Sequence, residues 1–114
     1  MSKEEVNFNQ WLELRNSHTT AKRNKDFQAV IDLSKKIIAH SIKAPEIRIM
    51  AALFHKDIAD SYVRLNDTPS AIAACREAIA SFKHYRATER LSKPDDFLSD
   101  IEKLQKKLEK LENS

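Results

Sequence analysis

The chain has 114 residues, 41% hydrophobic and 32% charged, with 20 basic against 17 acidic residues and a net charge of +3. That length is one domain with room for a modest core, and the balance suits a small helical protein better than a disordered one. Glycine is absent altogether, so no P-loop, dinucleotide fingerprint, nucleophile elbow or EF-hand turn can be written, because each needs backbone that approaches a ligand without a side chain in the way.

Other classes recede for equally simple reasons. The charge excess is mild for a dedicated nucleic-acid binder. No apolar run approaches the roughly 18 residues of a bilayer span, and the opening MSKEEVNFNQ lacks the apolar stretch of a secretory signal. One cysteine, Cys75, allows neither an internal disulfide nor a thiolate zinc cluster. The expectation is a cytoplasmic protein with no membrane contact and no cofactor.

In chain order, a first helix is predicted over about 4–23, with Val6, Phe8, Trp11, Leu12 and Leu14 as its apolar residues. Arg23-Asn24-Lys25-Asp26 breaks it, and Asn24 or Asp26 can cap a second helix over about 26–41. Ala44-Pro45-Glu46 reads as the start of a third helix, proline fitting the first helical position. Its apolar and small residues, including Phe54, Ile58, Ser61 and Tyr62, recur at intervals of three and four until Asn66, which tolerates the left-handed conformation of a helix stop. Asp67-Thr68-Pro69 opens a fourth helix to about Tyr85, and Ser92-Lys93-Pro94-Asp95 has capping-box spacing for a fifth. That last helix carries the stripe Phe97, Ile101, Leu104, Leu108 and Leu111, and no alternating segment suggests a strand. The predicted fold class is all-α.

Small residues at Ala59, Ala71 and Ala78, with Tyr62 among them, mark places where two antiparallel helices approach closely. Together with His55, Ile58, Cys75 and Lys83 they fall in the slots of the tetratricopeptide pattern W-x2-L-G-x2-Y, A-x3-F, P. The stretch from about Ala52 to Tyr85 resembles a tetratricopeptide repeat, with His55, Cys75 and Lys83 departing from the family's large apolar residue, phenylalanine and proline. Lys25-Asp26-Phe27-Gln28-Ala29 is similar to the start of a second repeat helix, and Ala29 precedes Ala71 by 42 residues where the family uses about 34. For the first helix two registers stay open: one puts Ser17 in the small slot and Glu13 in the tryptophan slot, and the other recovers Trp11 and Leu14. The resemblance implies a helix-turn-helix array of about five antiparallel helices, divided as a degenerate repeat at 1–44, a repeat at 45–86 and a capping helix at 92–112.

The resemblance also implies a function, since such repeats hold peptides or partner helices on the surface lined by the first helix of each repeat. Carried over, that surface presents Lys56, Asp60 and Arg64, four residues apart on one helix, with Lys22 and His18 from the preceding repeat in the register that puts Ser17 in the small slot. A basic groove of this kind suits an acidic segment or a C-terminal carboxylate. The plain alternative is that Asp60 bridges Lys56 and Arg64 along a solvated helix. A subclass of the family clamps the C-terminal tails of heat-shock chaperones. Lys22, Lys56 and Arg64 are similar to its basic members, but His18 stands where that clamp has asparagine, and a full third repeat is missing.

The expectation is therefore a non-enzymatic adaptor with peptide-binding residues Lys22, Lys56, Asp60, Arg64 and His18. The alternative is a subunit or homodimer that docks through the amphipathic fifth helix. Nucleic-acid contact would use the basic run from Lys83 to Lys93 with Phe82 and Tyr85 interleaved, although those rings equally suit packing on the fifth helix. His18, His40, His55 and His84 lack metal-ligand spacing, no catalytic residue or metal site is expected, and Cys75 reads as a buried small hydrophobe.

Overall fold

The computed structural model describes residues 3–43 and 49–113. Among them are five helices, α1 (Lys3–Arg23), α2 (Phe27–Lys43), α3 (Ile49–Arg64), α4 (Thr68–Thr88) and α5 (Leu98–Glu112), and no strand. The protein is all-α. The helix start expected at Ala44-Pro45-Glu46 lies outside the described residues. No described helix is long and apolar enough to cross a membrane.

The turns show how a chain without glycine reverses direction. Lys25 (φ 57°) and Asn66 (φ 60°) both take the left-handed conformation, which costs a non-glycine residue about 1–2 kcal/mol. Asp26 then caps α2 by accepting from the Ala29 N–H at 3.2 Å. Asp67 does the same for α4, accepting from the Ser70 N–H at 3.2 Å, with proline in the first turn. These connections of three residues leave α1 against α2 and α3 against α4 as antiparallel pairs.

The start of α5 departs from expectation. Ser92 and Asp95 do not form a capping box. Instead, Asp96 Oδ2 accepts from the Lys93 N–H at 3.0 Å, and the helix begins only after Phe97, which is itself left-handed at φ 68°. The reason is aromatic packing. The Phe97 ring sits 5.6 Å from Phe82 and 5.6 Å from Tyr85, edge-on to the latter. Arg86 secures the loop by donating to the carbonyls of Pro94 at 3.0 Å and Asp96 at 2.5 Å. Local capping preference is worth about 1 kcal/mol, less than seating a phenylalanine ring between two others.

The core is assembled from α2 to α5. Ile31, Ala52, Ile58, Ala59, Cys75, Ala78, Phe82, Ile101 and Leu104 belong to one buried cluster, with Tyr62, Phe97, Leu108 and Leu111 packed against it. Ala59, Ala71 and Ala78 are fully buried, so the small residues do lie inside helix contacts. Tyr62 packs on the cluster while its hydroxyl accepts from Lys35 Nζ at 3.5 Å. In α1, by contrast, Ser17 is exposed while His18 and Ala21 are buried. The first helix therefore does not pack in the register that puts Ser17 in a close-approach slot.

The apolar stripe of α5 is consumed within the chain, since Ile101 and Leu104 are buried and Leu108 and Leu111 touch the core. That leaves little of it for a second copy or a partner to dock on. Phe82, fully buried, and Tyr85 both face Phe97, which removes the two rings that a base-stacking role would need.

The close α3–α4 contact makes a direct prediction. Ala59→Leu adds volume at a site with no exposure and should cost about 1–3 kcal/mol by overpacking. Urea unfolding with an unchanged slope and a lower midpoint is the expected outcome.

Candidate functional site

Helices α1, α3 and α5 share one side of the molecule, where polar side chains link helices that are not neighbours in the chain. Asp57 on α3 is the first link. Its Oδ2 lies 3.3 Å from His18 Nε2 and its Oδ1 accepts from Lys22 Nζ at 3.2 Å, both from α1. His18 is 5% exposed and packs edge-on against Phe54 with ring centroids 4.7 Å apart. The spacing of His18 and Lys22, one helical turn apart, lets both reach a single carboxylate.

The second link is between α3 and α5. Asp60 pairs with Lys107 rather than bridging Lys56 and Arg64 along its own helix. Lys56 stands close enough to Lys107 for the two ammonium groups to repel. Burial first, and that repulsion second, hold Lys107 below the ordinary lysine value. Both lysines are half-buried, and Arg64 follows at the exposed end of α3.

The predicted site residues thus divide by role. Lys22, Lys56, Asp60 and Arg64 are all on or at the edge of this face. His18 is inside it, turned toward Phe54 and Asp57, where it positions the carboxylate and leaves little surface for a ligand. Sequence reasoning missed Asp57 and Lys107. Asp57 follows Lys56 directly, so helical spacing assigned it to a different face, and only the approach of α1 brings it into play. Lys107 reads as part of the charged back of α5, and its partner lies 47 positions earlier in the chain. Counting both, four cations (Lys22, Lys56, Arg64 and Lys107) meet two carboxylates (Asp57 and Asp60), so the face keeps a positive excess.

Arg15 extends the face toward the start of α1. Its guanidinium lies 5.0 Å from the Trp11 ring centre and 5.9 Å from that of Phe54. On the far side of α1, an open cavity of about 420 Å³ runs between α1 and α2. It is lined by small polar residues such as Asn16, Ser17 and Thr20, and its one ionised group, Asp26, already caps α2. It offers neither charge nor depth for chemistry.

The remaining titratable groups serve packing. His55, in the slot of a large apolar residue, is pushed down by burial against an opposing pull from Glu77, so it is neutral at physiological pH. Burial pushes the Cys75 thiol up, away from the reactive thiolate. Among the described residues no group of three His, Cys, Asp or Glu side chains is placed to hold a metal ion.

Asp57 supports a prediction about acid stability. Burial pushes its carboxyl up, but the His18 hydrogen bond and the Lys22 charge together outweigh that and hold it below the ordinary value of 3.8. A carboxyl whose value is depressed on folding stabilises the protein above the unfolded value, and this contribution is lost as pH falls through the folded one. Asp57→Asn should therefore be less stable than the wild type at neutral pH, by about 1–3 kcal/mol. The gap should close as pH falls below 3.8, as measured by urea midpoints across pH.

Compared with protein-family models, with curated proteins and with solved structures, the chain matches none.

Proposed function

We propose that this chain is a non-enzymatic, tetratricopeptide-like interaction module that takes an acidic segment of a partner protein on the face formed by α1, α3 and α5. The observation that carries this reading is the charge inventory of that face. Three helices from distant parts of the sequence contribute Lys22, Lys56, Lys107 and Arg64, and among the described residues Asp57 and Asp60 are the carboxylates that pair with them. Like charges held side by side at a half-buried surface are unfavourable by themselves. A ligand that brings carboxylates relieves that repulsion and gains charge-assisted hydrogen bonds.

The lining supports binding over catalysis. Among the described residues no nucleophile is paired with a base on this face, and the buried His18 is occupied by Asp57 and Phe54. The reading as an adaptor in the reducing interior of a cell also suits a single cysteine packed away in the core.

Charge reversal tests it. In affinity capture from cell extract, a partner retained by the wild type should be lost with Lys56→Glu/Arg64→Glu, retained by the control Lys83→Glu/Arg90→Glu, and released by salt. Circular dichroism should show the same helix content in all three. Identical partners for the wild type and the Lys56→Glu/Arg64→Glu protein would overturn the proposal.

A further inference from the structure

The basic face has a cation that the repeat pattern does not point to. Arg15 lies two helical turns before Lys22 on α1 and is half-buried. Its guanidinium is flanked by Trp11 at 5.0 Å and Phe54 at 5.9 Å. Yet no carboxylate or hydrogen-bond acceptor is paired with Arg15 among the described residues. Of the other cations on this face, Lys22 meets Asp57 and Lys107 meets Asp60, while among the described residues Lys56 and Arg64 form no ion pair either. Arg15 has aromatic contacts alone.

That arrangement has a physical sense. Guanidinium is planar and weakly hydrated, stacks on aromatic rings, and keeps its N–H donors at the edge, in a fork that matches a carboxylate. Two rings within 5.9 Å of the guanidinium carbon restrict the side chain and displace part of its water. Less rotamer freedom remains to be lost on binding, so the ligand gains from a donor set already in place.

We propose that Arg15 is a second anchor for the acidic segment, taking a side-chain carboxylate of an extended peptide whose next acidic residue is held near Lys22. This rests on the reading of the α1–α3–α5 face as an acidic-peptide site. Seven residues of helix separate Arg15 from Lys22, about 10 Å at 1.5 Å per residue. A peptide in the polyproline II conformation advances about 3.1 Å per residue and returns to the same side every three residues, so carboxylates about three residues apart match the two cations. The ligand class is thus an extended peptide with acidic side chains at that interval. At Lys22 the incoming carboxylate shares the ammonium with Asp57, which makes Arg15 the stronger of the two contacts.

Trp11 is the single tryptophan of the chain and touches the proposed anchor, so its fluorescence reports on the site. The experiment titrates the full chain with a blocked peptide carrying two glutamates about three residues apart on a serine–alanine background, against the same peptide with glutamines. Calorimetry provides a readout independent of the fluorophore. The expected result is a saturable, salt-sensitive response to the glutamate peptide alone. Affinity should fall about tenfold or more in Arg15→Gln, and also in Arg15→Lys, which keeps the charge but loses the fork. Circular dichroism identifies any variant that has lost its helices, and the comparison is then made with the remaining Arg15 variant.

Equal binding of the glutamine peptide, or wild-type affinity in a folded Arg15 variant, overturns the proposal. If Arg15 variants bind normally while Lys56→Glu/Arg64→Glu does not, the basic face stands and the anchor falls. If all of them bind normally, both readings fall. Inorganic tripolyphosphate binding through Arg15 as tightly as the peptide would overturn the assignment to a peptide.

Discussion

The third helix has to fit among four neighbours, and the rest of the structure depends on how its surface is divided to allow that. To the buried cluster it shares with α2 and α4 it contributes the small residues Ala52 and Ala59, both nearly or fully buried, which leave room for a close approach of helices. Toward α1 it presents Phe54 and Asp57, and toward α5 it presents Lys56 and Asp60. Close packing on one side is worth more than any ion pair on the other, because burial of apolar surface dominates folding and partly exposed ion pairs contribute little. The charged side is left out of that packing.

The two carboxylates of α3 have different consequences. Among the residues whose side chains are described, none in the main apolar cluster comes from α1, and the contacts of the first helix with the third include the His18–Phe54 pair and Asp57, which is largely sheltered from water. Asp60 works in a more exposed setting, and its pairing with Lys107 ties α5 to α3. Because Lys107 also crowds Lys56, the contact that completes the face simultaneously raises its positive potential.

Much of the fold was legible in the sequence, and the reasons differ from element to element. The turns at Asp26, Asn66 and Asp67 were readable because capping is local: a side-chain oxygen reaches a backbone N–H three residues on. The closeness of α3 and α4 was readable because only small residues permit it, and Ala59, Ala71 and Ala78 are all enclosed. The start of α5 was not, since the capping preference of Ser92 and Asp95 yields to the seating of Phe97 between Phe82 and Tyr85, a contact across two helices. The site followed the same division. Lys56, Asp60 and Arg64 share a helix face and were visible by spacing. The ties of Asp57 to α1 and of Asp60 to Lys107 were invisible because they depend on how helices are placed in space. Arg15 escaped notice because an arginine followed by polar residues on an amphipathic helix looks like solvated surface until Phe54 arrives from α3.

The most direct test of the account is where an acidic peptide binds, read residue by residue. Nitrogen–proton correlation spectra of the labelled chain, recorded while a glutamate-containing peptide is added, would locate the contact without any mutation. The account predicts that the shifting amides cluster on the inner faces of α1, α3 and α5, around Arg15, Lys22, Lys56 and Lys107, together with the Trp11 indole N–H. Shifts confined to the exposed basic end of α4, from Lys83 to Lys93, would contradict it.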